Sequence, residues 1–185
     1  RAGLKDKVAI KPLGDFATMM GAVKSGAVDG IMATFGMLEK AQDEGWGAPL
    51  FDVTNDDTWQ ATFGGNVNGY GCYVLQETIE DRPEVVQGLV TGIVKATDFI
   101  RAARAGEIAN TVFSDYLPGH SRPAFVSAIN VYKKTWSRDN LIARDSYDRL
   151  VSIMEGRQFT AAELRAAPYE QSVDMRFVAR ARKTG

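Results

Sequence analysis

The chain has 185 residues, 45% of them hydrophobic and 24% charged, with a formal net charge of −1. That is the composition of a globular protein with enough apolar residues for a core, and so even a charge balance leaves no electrostatic footprint for nucleic acid. No run approaches the ~18 consecutive apolar residues that a membrane span requires. The single cysteine, Cys72, excludes an intramolecular disulfide and any multi-cysteine metal site, and the single histidine, His120, argues against histidine-rich metal sites.

Strand and helix signals alternate at short intervals over the first 52 residues. A strand is predicted over 7–11, then a helix over 15–24 in which Phe16, Met19, Met20 and Val23 recur at helical spacing behind an Asp15 N-cap. Ser25-Gly26 reverses the chain, glycine being free to take positive φ at a helix C-terminus. A strand over 27–33 follows, interrupted by Asp29, then a helix over 36–44 and a short strand over 49–52. Such alternation predicts a parallel sheet with helices on its faces.

The character changes at 53–69. Thr54-Asn55-Asp56-Asp57-Thr58 and Gly64-Gly65-Asn66-Val67-Asn68-Gly69 are loop-forming, and between them Trp59, Ala61 and Phe63 alternate like a short strand. Tyr70–Leu75 reads as a buried strand that makes Cys72 a small core hydrophobe. Asp81 with Glu84 fits a capping box, with Pro83 in the first turn. Val85, Val86, Leu89, Val90, Ile93, Val94, Thr97 and Ile100 then line a core-facing helix rather than a partner-binding stripe. Further helices are predicted over 106–116, 121–134 and 143–155. Thr160-Ala161-Ala162-Glu163 is a second capping box, opening a helix that Pro168 ends. Arg176, Arg180, Arg182 and Lys183 read as a solvated basic terminus.

The phrase Ser25-Gly26-Ala27-Val28-Asp29-Gly30, entered from a helix and leaving as an apolar strand, resembles the type 2 periplasmic-binding-protein fold. More narrowly it is similar to the solute-binding proteins of ABC importers for nitrate, sulfonates, taurine and related molecules. Ala2-Gly3-Leu4, Lys7–Pro12, Asp43-Glu44-Gly45, Leu50-Phe51-Asp52, Tyr70–Leu75 and Glu80–Glu84 follow in the family's order. The resemblance spans residues 1 to about 155. It implies a two-lobed α/β fold, a parallel-sheet portion followed by a helix-rich C-terminal portion. Residues 1–52 become part of a second lobe, 53–69 a crossover hinge, and 70–185 the end of the first lobe with a helical tail. The pattern starts partway through a lobe, so the chain reads as a C-terminal portion with unpaired strand edges; the alternative is a naturally short single domain.

In an open α/β sheet ligands bind beyond the carboxyl ends of the strands. For strand 27–33 that end is Thr34-Phe35-Gly36, where a helix N-terminus offers unpaired N–H groups to an anion; alternatively Thr34 merely caps the helix. Where the family often carries an aromatic followed by Asp-Pro, this turn has Phe35 followed by Gly36 and so lacks the carboxylate. Trp59, Phe63 and Tyr70, with Asn66 and Asn68 as neutral hydrogen-bonding groups, are either a second wall of the site or a plug for the crossover. Asp29 reads as structural. The ligand-binding set is thus Thr34, Phe35, Gly36, Trp59, Phe63, Asn66 and Tyr70, with no catalytic residue, metal or cofactor. Cys72 and His120 fall on segments too far apart to be expected as a catalytic pair. The function implied is capture of a small anionic solute for an ABC importer permease, at a periplasmic or cell-surface location. The alternatives are an enzyme resembling the pyrimidine-precursor synthases and the effector domain of a transcription regulator.

Overall fold

The computed structural model describes residues 3–4, 7–116, 121–155 and 159–183. They fall into two units, Arg1–Leu50 and Phe51–Gly185. In the first, α1 (Phe16–Lys24) starts where Asp15 accepts from the Thr18 N–H at 2.8 Å, and it ends at Ser25 with Gly26 in the left-handed region at φ 75°. α2 (Phe35–Asp43) packs its buried Ala41 under Gly47. Glu44 ties the two helices together, accepting from Lys24 Nζ at 2.5 Å and from Trp46 Nε1 at 2.8 Å. Those two donors hold the Glu44 carboxyl below its ordinary range.

In the second unit α3 (Asp56–Phe63) is a helix with signals at both ends. Asn55 Oδ1 accepts from the Asp57 N–H at 2.9 Å, Asp56 and Asp57 lie at the positive end of the helix, and Gly64 closes it at φ 77°. α4 (Gln76–Asp81) and α5 (Pro83–Ala102) meet at Arg82, with Pro83 at the first helical position. α6 (Ala105–Tyr116) and α7 (Arg122–Tyr132) pack as a pair, Phe113 against Phe125 at 5.6 Å between ring centroids. A 3-10 turn, Lys133–Thr135, leads towards α8 (Arg144–Met154). The short α9 (Ala161–Arg165) carries the reciprocal Thr160–Glu163 capping box, and α10 (Tyr169–Ser172) leads to α11 (Arg176–Lys183).

The core lies between α5 and α11. Val94, Val178 and Ala181 are buried against Val90 and Met175, with Val86 and Phe177 buried alongside. A polar chain runs beside them. The buried Thr97 hydroxyl donates to the Ile93 carbonyl at 2.8 Å and accepts from Asn140 Nδ2 at 3.0 Å. Asn140 Oδ1 accepts from Arg182 at 2.6 Å, and Arg182 Nη1 also donates to both carboxylate oxygens of Asp98. Asn140 sits in the left-handed region at φ 60°, which asparagine tolerates better than most residues.

Several expectations are corrected. The protein is helical, 61% of it in helices, and no sheet forms among the described residues; the α/β parallel-sheet fold is wrong, and its expected strand edges go with it. The segments read as strands, 7–11, 27–33, 49–52 and 70–75, are irregular. A strand is stable only against a neighbour, and none of these runs finds one, so Ile10, Leu50 and Tyr70 stay more than nine-tenths exposed. Cys72 is exposed rather than a core residue. Trp59, Ala61 and Phe63 belong to a helix, since 59 and 63 are also one turn apart. Asp81 closes α4 and does not cap α5. The basic terminus is not merely solvated: α11 presents Phe177, Val178 and Ala181 to α5, and its Arg182 pairs with Asp98, also of α5.

The clasp yields a prediction. Phe177→Ala lowers the unfolding free energy by about 3 kcal/mol, as for a buried aromatic, whereas Arg182→Ala costs about 1 kcal/mol because its ion pair is half exposed. Urea unfolding followed by circular dichroism compares them, and equal losses would mean that charge rather than burial holds α11.

Candidate functional site

Thr34 is the N-cap residue of α2, in extended backbone at ψ 166°, and its N–H lies 3.5 Å from Met37 Sδ. Thr34 and Gly36 are exposed, and the first turn of α2 carries no acidic residue. The Phe35 side chain lies outside the described residues. Asp29 is exposed, which removes any need for a buried partner.

The other predicted residues belong to the second unit. Phe51, Trp59 and Phe63 form an aromatic triad, with centroids 5.0 Å apart for Phe51–Trp59 and 5.6 Å for each of the other two pairs. Trp59 Nε1 donates to the Val53 carbonyl at 2.9 Å. The triad therefore spends ring surface on itself, and Tyr70 is fully exposed apart from it.

The Gly64–Gly69 loop is held by α8, which the sequence reading missed. Arg149 Nε donates to the Asn66 carbonyl at 3.0 Å, and Ser146 Oγ donates to Asn68 Oδ1 at 3.0 Å. Asn66 Nδ2 reaches Asp56 Oδ1 at 3.3 Å. Gly65 has φ 133°, and a Cβ there would stand 2.9 Å from the Arg149 guanidinium carbon. Asp145 receives Arg149 Nη2 at 2.6 Å, and that bond holds its carboxyl below the ordinary range. Asn68 Nδ2 is buried with no hydrogen-bond acceptor among the described residues. The arrangement is a clamped polar loop rich in neutral groups. One signal was available: Asp145 and Arg149 are four apart on a predicted helix, the spacing of a paired face.

Two shallow clefts lie elsewhere in the second unit: one of about 240 Å3 lined by Val151, Glu155, Ala161, Leu164 and Arg165, and one of about 350 Å3 lined by Arg104, Gly106, Glu107, Asn110 and Arg122. In the second, Arg104 pairs with Glu107 at 3.0 Å and Arg122 with Asn110 at 2.5 Å, so the guanidinium groups serve the protein's own acceptors. Among the described residues no three His, Cys, Asp or Glu side chains converge as metal ligands, and no helix is long and apolar enough to cross a membrane. His120 lies outside the described residues, so the Cys72–His120 pairing does too. No protein-family model, curated protein or solved structure matches the chain.

Because Arg149 depresses the Asp145 pKa, the pair helps the folded state above the ordinary Asp range, and that help is lost as pH falls through the lowered value. Hydrogen exchange of the Asn66–Asn68 amides, taken relative to the intrinsic exchange rate at each pH, should therefore speed up on acidification in the parent chain. In Arg149→Gln it should be faster at neutral pH already and respond less to acid. Ser146→Ala should cost about 1 kcal/mol, the worth of one such hydrogen bond.

Proposed function

We propose that this chain takes part in capturing a small anionic solute for an ABC importer permease, outside the cytoplasmic membrane. The resemblance behind this reading rests on the order of sequence segments, since the sheet it also implied does not form. The observation that supports it is the N-terminal turn of α2. This turn lies three residues beyond the SGAVDG segment, its Thr34 and Gly36 are exposed, and like the first turns of α1, α7 and α11 it lacks an acidic residue, whereas α3, α5, α6 and α8 each carry one. The first-turn N–H groups of a helix have no intrahelical acceptor and carry a partial positive charge, which suits a sulfonate, nitrate or carboxylate.

Several carboxyl groups are engaged by the protein's own donors. Glu44 is shifted down by Lys24, Glu107 by Arg104, Asp145 by Arg149 and Asp174 by Arg176, while Asp15 and Glu163 are shifted down by N–H groups at helix starts. Each is engaged in a cap or an ion pair that holds it ionised.

The test is isothermal titration of the whole protein with sodium nitrate, taurine and ethanesulfonate in separate runs. The expected result is saturable binding of at least one, weakened by about 1–2 kcal/mol in Thr34→Ala with helicity unchanged, the scale of one charge-assisted hydrogen bond. No saturable heat with any of the three, or affinity unchanged in Thr34→Ala, would overturn the reading.

A further inference from the structure

α5 has two apolar faces, and α11 covers one. Val86, Val94 and Thr97 are buried on the α11 side, whereas Val85, Leu89 and Ile93 are 53%, 45% and 38% exposed. These three stand four residues apart and form a ridge. Beside them Gly88, Gly92 and Ala96, also four apart, form a groove: no atom lies within 4 Å of where a Cβ would stand at either glycine. Ridges of i, i+4 residues pack into the grooves between such rows on a facing helix.

We propose that this face pairs α5 with α5 of a second copy of the chain, antiparallel about a two-fold axis. Run in opposite directions, the pattern matches itself: Val85 falls on Ala96, Leu89 on Gly92 and Ile93 on Gly88, so every large side chain meets a small one, twice over. At the ends Phe99, 42% exposed, comes over Arg82 of the second copy. The charges agree with the same register. Glu84 and Lys95 are eleven residues apart, almost whole turns, so both lie on one rim of the stripe. The two-fold brings the same rims together and sets Glu84 of each copy within two residues of the position opposite Lys95. A two-fold contact must be self-complementary in this way, residue i meeting j and j meeting i. The inference is independent of solute binding, for it uses no residue of α2 or of the 64–69 loop.

Sedimentation equilibrium of the whole protein over a broad concentration range tests it. The expected mass is that of a dimer. Leu89→Glu, at an exposed position, should give a monomer with unchanged helicity, and Lys95→Glu should weaken association about tenfold by opposing two acidic groups. The double reversal Glu84→Lys with Lys95→Glu should restore it. In a Cys72→Ser background, chains with Leu89→Cys and Gly92→Cys should crosslink faster when mixed than either alone. A monomeric parent chain, or a dimer indifferent to Leu89→Glu, overturns the pairing. A dimer that Leu89→Glu splits but the charge variants and crosslinks ignore overturns the antiparallel register.

Discussion

The docking of α11 on α5 is the constraint on which the second unit depends. An eight-residue helix with four basic side chains would not persist alone, because too few turns form to offset the ordering of the first. Burial of Phe177, Val178 and Ala181 supplies what the isolated helix lacks, and the same contact covers Val94, the most secluded apolar residue of α5. The polar chain Thr97–Asn140–Arg182–Asp98 then fixes the angle of docking and carries the segment before α8 into the same assembly. Because Thr97 satisfies its own hydroxyl on the Ile93 carbonyl while accepting from Asn140, a polar residue in the core remains fully bonded.

What could be read from the sequence was what is decided locally. The Asp15 cap, Pro83 at the start of α5 and the Thr160–Glu163 box each act within one helical turn, and the structure realises all three. The strands failed for the complementary reason. Val8 and Ile10, or Tyr70 and Val74, carry the right residue types, yet a strand's stability lies in a partner that no local window contains. The α3 error was one of choice between periods: Trp59 and Phe63 fit an alternating run and a helical turn equally, and Asn55 with Gly64, which mark helix ends, should have decided it. The tail misled because four of the eight residues of α11 are basic, although 177, 178 and 181 have helical spacing.

Of the candidate site, its residue types were visible but not its supports. The 64–69 loop reads as flexible from its glycines and asparagines, and it is Arg149 and Ser146, some eighty residues further on, that give it a shape. The aromatic residues were assigned to a ligand wall or to a plug, and the triad with Phe51 shows rings packed on one another. The Thr34–Gly36 turn owes its interest to what it lacks, a first-turn carboxylate, and such an absence can be seen in the sequence once the helix start is known.

The close approach of Arg149 to Gly65 also governs how this loop can drift. With a guanidinium carbon 2.9 Å from the place of a side chain, and backbone at φ 133°, no residue with a Cβ enters position 65 while Arg149 stays where it is. Swinging or shortening Arg149, at the expense of its bonds to Asn66 and Asp145, opens space at 65 but leaves the backbone at φ 133° unfavourable to any side chain. Glycine at 65 is thus held twice, by its own backbone and by the neighbouring guanidinium. A lineage that still carries arginine at 149 should keep glycine at 65, while the reverse dependence is weaker.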